Sequence, residues 1–183
     1  SVSADSFADL TKIVENNQVT FGDQYTWSSY NPTTRKVIYT QKADKLTIMD
    51  GSSQIIFTIN ANDQVVSYEQ IYAGSVQVLG KERELITAQR AVEVLYLAGR
   101  ISSKATVQSV KLSYYQSLVL KDFSIYSPAW YIEIRQADGQ LIARRVDAIH
   151  GTVLANETLE TTNTQTQRTT TNNTTTTQSV QQQ

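Results

Sequence analysis

An α+β fold built mostly from antiparallel sheets is predicted by three features of this 183-residue chain. Two stretches carry apolar residues at helical spacing, one near the N-terminus and one just past the first eighty residues. Between and after them lie runs rich in Val, Ile, Thr and Tyr in which apolar and polar residues alternate. These runs are joined by short polar turns such as Asp-Gly and Asn-Asp rather than by crossover helices, the pattern of meanders and hairpins. The expected arrangement is two consecutive subdomains, residues 1–80 and 81–156, each with a helix packed on a strand meander, followed by a flexible tail at 157–183.

In the first half, Phe7, Leu10, Ile13 and Val14 fall on one face of a short helix that Ser3 or Asp5 can cap, and Asn16-Asn17 ends it. Tyr25, Trp27 and Ser29 alternate with Thr26 and Ser28 as a strand. Arg35 to Gln41 is β-branched and aromatic. Lys45 to Met49 reads as a further strand ending at Asp50-Gly51, a pair that tolerates positive φ. Gln54–Asn60 and Val65–Tyr72 are two strands joined by the polar turn Ala61-Asn62-Asp63-Gln64.

In the second half, Thr87 is an N-cap and Ile86 before it can staple onto Ala91. Ala88, Val92, Leu95 and Tyr96 form the expected apolar stripe, and Gly99 sits where a left-handed cap stops the helix. A long strand follows from Thr106 to about Leu120. Val110, Leu112, Tyr114, Leu118 and Leu120 share the inward parity, and Lys111, Ser113, Tyr115 and Ser117 the outward one. Ala129–Gln136, with Trp130, Ile132 and Ile134 inward, turns at Asp138-Gly139 into a partner strand from Leu141 to Ile149. From Glu157 to Gln183 there are 12 Thr, 6 Gln and 3 Asn, with Leu159 and Val180 the only aliphatics. Such a segment buries too little apolar surface to offset its ordering entropy, so it reads as a tail dispensable for folding.

Composition narrows the chemistry. Lys and Arg total 16 against 17 Asp and Glu, which provides no electrostatic footprint for nucleic acid. With no cysteine there is no disulfide framework, thiolate metal site or cysteine nucleophile. His150 is the single histidine, so a zinc site would have to draw its other protein ligands from carboxylates. His150, Asp147 and Ser127 contain the residue types of a nucleophilic triad. However, they lack a Gly-x-Ser-x-Gly elbow, and an exposed turn histidine is the simpler reading. Glu82 and Glu84 flank a helix start, while Asp122, Glu133, Asp138 and Asp147 fall at strand ends or on outward faces, as solvated charge does. The sequence therefore points to a non-enzymatic domain without cofactor or metal.

The residue in excess is tyrosine, 10 against 4 Phe and 2 Trp. Tyr packs one end of its side chain and offers the other to water or a partner. On the outward parity of the second half stand Tyr115, Tyr131, Arg135 and Arg145, types that concentrate binding energy at interfaces, and these four form the candidate partner-binding face. The competing expectation is that the first-half sheet covers this face and makes it an intramolecular seam.

The run from Leu85 to Tyr96 resembles the helix of the YycI family. So do Val110–Tyr115, Ser127-Pro128-Ala129-Trp130, Val146–Gly151 and, upstream, Val66–Tyr72, in the family's order and over most of Phe21 to Leu154. The second half also resembles PepSY-like modules, whose strands end in a similar Asp-Ala-x-x-Gly turn. The resemblance implies an extracytoplasmic accessory protein of Gram-positive bacteria, held by one N-terminal membrane helix. It would act with a YycH-type protein on the WalK (YycG) sensor kinase of a cell-wall two-component system, and the family has no catalytic residues to carry over. No stretch here approaches the roughly 18 apolar residues of a membrane span. The start at Ser1 rather than methionine sets the expectation of a partial chain with its anchor upstream. A homodimer, and a PepSY-type module that restrains an envelope protease, are the further expectations.

Overall fold

The computed structural model describes residues 4–77, 79 and 82–155; the Thr/Gln/Asn-rich tail and Ser3 lie outside them. The elements are mostly antiparallel strands with two short helices, in line with the α+β expectation. Helix α1 spans Ala8–Glu15 and is entered through a tight turn at Ala4–Phe7. Phe7 occupies the cap position and no side chain caps the helix, so the expected Asp5 cap is not used. Phe7, Leu10 and Val14 face the core, whereas Ile13, expected on the same stripe, is 40% exposed. At 100° per residue Ile13 stands off the Leu10–Val14 line, and α1 meets the sheet along that line alone. Asn17, at φ 56°, ends the helix region, and Gly22 then passes so close to α1 that a Cβ would lie 2.0 Å from the Val14 carbonyl oxygen.

The first sheet runs β1 (Tyr25–Asn31), β2 (Lys36–Ala43), β4 (Gln54–Ile59), β5 (Val65–Ile71) in that spatial order, all antiparallel. Val37 and Tyr39 on β2 and Ile55, Phe57 and Ile59 on β4 alternate into one core with Val14, Val19 and Tyr25. The Tyr hydroxyls in this core find partners, as buried phenols must: Tyr25 donates to the Ile71 carbonyl at 2.8 Å, and Tyr39 pairs with Thr11 at 2.9 Å. The strand expected over Lys45–Met49 is shorter. Only Leu46–Thr47 (β3) pairs, with the end of β2. Ile48 and Met49 leave it to run beside the second sheet, where Ile48 is fully buried.

The second sheet is β6 (Thr106–Val119), β7 (Ser124–Arg135) and β8 (Leu141–Asp147), antiparallel in sequence order, with α2 (Ala88–Leu97) on one face. The Thr87 hydroxyl accepts the Arg90 N–H at 3.1 Å and caps α2. Gly99, at φ 66°, closes it, with Arg100 N–H donating to the Leu95 carbonyl at 2.9 Å. The buried stripe is centred on Ala91 and Leu95 rather than on Ala88, Val92, Leu95 and Tyr96, and Tyr96 is 69% exposed. Along β6 the expected parity also fails in places. Irregular pairing between Val107 and Ser109 and between Gln116 and Leu118 shifts the alternation. Leu118 and Leu120, expected inward, are 46% and 42% exposed, whereas Ser113 keeps the expected parity away from α2 but is completely buried there and donates to the Ala129 carbonyl.

Trp130 lies on the α2-facing side of β7 with Ile132 and Ile134, and its indole N–H donates to the Ile86 carbonyl at 2.9 Å, tying the entry of α2 to the sheet. Trp130→Ala is expected to cost about 3–5 kcal/mol. Trp130→Phe keeps most of the packing and removes the donor, for about 1 kcal/mol. Urea midpoints of the two variants check the order, and equal losses would show that the hydrogen bond, not the ring, anchors the helix.

Candidate functional site

The faces of the two sheets that carry no helix turn toward each other. Tyr131 of β7, 7% exposed, closes a cavity of about 20 Å³ whose other walls include Ser28, Ile38, Thr40, Ile48 and Gln54. That is room for about one water molecule. The joint between the sheets is the stretch after β3. Ile48 bridges Tyr114 of β6 in parallel, and Met49 N–H donates to the Tyr114 carbonyl at 3.0 Å. The Asp50 carboxylate accepts the Gln116 N–H at 2.5 Å on one oxygen and the Ser52 N–H and hydroxyl on the other.

This geometry places the four candidate partner residues differently. Tyr131 and Arg145 lie in the seam. Arg145 is 8% exposed and reaches the Met49 carbonyl at 3.4 Å, so neither side chain is offered to a partner in this conformation. Burial pushes the Tyr131 phenol up to about 12; the Glu133 charge adds to this and Arg145 opposes it. Tyr115 is half-buried at the border of the seam, and Arg135 is exposed at the end of β7, its guanidinium 3.3 Å from the Gly139 carbonyl.

Tyr115 belongs to a second cluster. Its hydroxyl donates to Asp147 Oδ2 at 2.7 Å, while Asp147 Oδ1 accepts the N–H groups of Ile149 and His150 at 2.8 and 2.7 Å. Burial works against the Asp147 charge, but the His150 N–H, Tyr115 hydroxyl and Ile149 N–H, with the nearby imidazole, outweigh it and hold the carboxyl below its ordinary 3.8. The same contact, after burial, helps drive Tyr115 up to about 12, so it stays a neutral donor at physiological pH. The carboxylate thus closes the Asp147–Gly151 turn, with Gly151 at φ 69°. His150 Nδ1 is 3.1 Å from Asp147, yet the ring is mostly exposed, and the hydroxyl of Ser127 pairs with Ser117 at 2.7 Å instead. The triad residues are therefore engaged separately, in a turn and in a cross-strand pair. Among the described residues no group of three or more His, Asp or Glu gathers to hold a metal.

Three exposed apolar surfaces were not anticipated from the sequence. Tyr96 and Leu97, 69% and 75% exposed, border an open groove of about 940 Å³ with Val92, Ile101 and Val107. Leu118, Val119, Leu120 and Phe123 crown the β6–β7 hairpin, and Val65, Val66, Tyr68 and Ile71 stand out along β5. A signal existed for each. Three consecutive apolar residues in Leu95-Tyr96-Leu97 and in Leu118-Val119-Leu120 exceed what one helix stripe or one strand face can bury, and Val65-Val66 breaks the strand alternation.

Tyr131→Ala is expected to destabilise the fold by roughly 3 kcal/mol, while Arg135→Ala stays within about 0.5 kcal/mol. Urea denaturation of both variants checks this, and a Tyr131→Ala protein of unchanged stability would mean the seam is open in solution. Asp147 sets a pH dependence. Because its folded value is depressed, its contribution is complete above the ordinary carboxyl range and is lost as pH falls through the folded value. Asp147→Asn should therefore be less stable at neutral pH and show a shallower decline below about pH 4. A parallel acid limb in the two proteins would contradict that.

A family model described as YycI protein matches residues 2–149, which takes in both helices and every strand of both sheets. No curated protein matches the chain. The chain belongs to the YycI family of regulatory accessory proteins, associated with the YycG/WalK two-component system.

Proposed function

We propose that this chain is the extracytoplasmic regulatory domain of a membrane-anchored accessory protein, modulating the sensor histidine kinase of a cell-wall two-component system through protein–protein contacts, together with a YycH-type partner. The observation that carries the reading is the family match over residues 2–149, which spans the complete two-sheet fold. The exposed apolar surfaces support it, because contiguous apolar surface on a folded domain marks interaction sites. No helix among the described residues is long and apolar enough to cross a membrane, so the proposed anchor is not one of these elements. Arg135 and the border residue Tyr115 remain in the proposed partner surface, and the Tyr96–Leu97 groove is a separate part of it.

A second reading, a PepSY-type module that restrains an envelope protease, draws on the order of the second half: helix α2, three antiparallel strands and the Asp147–Gly151 turn.

Titration calorimetry with the extracellular part of a YycH-type protein, and separately with that of the kinase, tests the main reading. Binding to at least one is expected. Combined Tyr96→Ala and Leu97→Ala should weaken it by tenfold or more, about 2 kcal/mol if one of the two is a hot spot, without lowering Tm, because both side chains are exposed. Absence of binding to either partner, together with slowed cleavage by an envelope protease, would replace the regulator with the inhibitor.

A further inference from the structure

The first sheet ends in a strand whose side chains are mostly exposed. β5 is last in the spatial order and no other described strand pairs with its outer edge; Val66, Tyr68 and Ile71 are 60%, 52% and 49% exposed, while Tyr68 packs one side of its ring on Phe57 and Gln70 donates to the Thr20 carbonyl. The other edges differ. Beyond β8, Val153 bridges Val146, and Leu154 N–H donates to the Arg145 carbonyl. Ile48–Asp50 occupies the outer edge of β6 at Tyr114–Gln116. β1 is interrupted by a bulge between Trp27 and Ser29 and is followed by Pro32. β5 carries no Lys, Arg or Pro, the residues that usually blunt an edge, and its one irregularity lies at its start, around Val66. An edge of this composition is a template for another strand.

We infer that β5 pairs antiparallel with β5 of a second copy of this chain, about a two-fold axis through Tyr68. In this register Tyr68 meets Tyr68, Glu69 lies opposite Ser67, and the Val65–Val66 end of one strand meets Ile71 of the other. Centring the pair on Glu69 instead would set two carboxylates directly opposite, which is destabilising, so the strand's only charge selects the Tyr68 register. A formal net charge of −1 gives no long-range repulsion between copies. The contact is isologous and closes on itself. Because the contact uses the β5 edge of both copies, it ends at a dimer whose joined sheet runs β1-β2-β4-β5-β5-β4-β2-β1.

The inference goes beyond the regulatory reading and does not depend on it, since the test contains this chain alone. Sedimentation velocity of the full chain over a concentration series is expected to show a monomer–dimer equilibrium in the micromolar range, as suits a contact at the small end of stable interfaces. Tyr68→Lys brings two ammonium groups together on the axis and should weaken the dimer by tenfold or more while the circular dichroism spectrum is unchanged. Ser67→Lys places an ammonium opposite Glu69 of the other copy. It should tighten the dimer several-fold at low salt, an effect that high salt removes. A chain that stays monomeric throughout, or a dimer indifferent to both substitutions, would overturn the inference. So would a monomer in which Tyr68→Lys instead abolishes binding to a YycH-type protein, because the edge would then belong to that partner.

Discussion

The architecture depends on the strip Ile48–Asp50 lying along the edge of β6. Without it there would be two separate α/β layers, each with a helix on one side of its sheet and a bare sheet face on the other. The strip joins them through a backbone hydrogen bond at Tyr114 and a carboxylate that accepts the Gln116 N–H. A hydrogen bond to an ionised acceptor is stronger than a neutral one, and here it is partly buried. Ile48, fully buried beside it, supplies the apolar part of the joint.

Once the sheets are joined, the polar character of the seam follows. Beside Ile38 and Ile48 the facing side chains include Ser28, Thr40, Gln54, Tyr131 and Arg145, a more polar mixture than the two helix-covered cores. Burial of such groups is tolerated only where they are partnered. Thr40 donates to the Ile48 carbonyl, Arg145 to the Met49 carbonyl, and the Gln41–Ser53 pair holds the Ala73 N–H beyond the end of β5. Outside the seam, Trp27 Nε1, beside the α1 core, and Arg144 Nε, on the α2-facing side of β8, are buried with no hydrogen-bond partner among the described residues. Burial, with the Arg100 charge second, draws the Arg144 guanidinium below its ordinary value. A seam of this kind specifies one mutual placement of the layers more sharply than a purely apolar contact, because each group must meet its own partner.

The polar clusters and the exposed apolar surface are separate features of this fold. The hydrogen-bonded clusters at Asp50 and Asp147 are spent on structure, one joining the sheets and the other closing a turn. The exposed apolar surface is peripheral: the end of α2, the tip of the β6–β7 hairpin and the β5 edge.

Local signals determined much of this protein in advance. The Thr87 cap, the Gly99 stop, the Asp138-Gly139 turn and the alternation of β2, β4 and β7 depend on neighbours within a few residues, and the structure contains them where the residue types require. The run of family motifs likewise made the YycI assignment legible, because motif order survives in the sequence itself. What the tertiary structure decided was which face of each element counts as outside. Tyr131 and Arg145 look like an open face when β7 and β8 are read alone, and they become a seam only because residues about a hundred positions earlier fold over them. Tyr96, Leu118 and Val66 look like core on hydrophobicity alone, and they are exposed because irregular strand pairing and the narrow footprint of α2 turn them away. Periodicity reports that a side chain has two possible sides; only long-range packing determines which of them meets water.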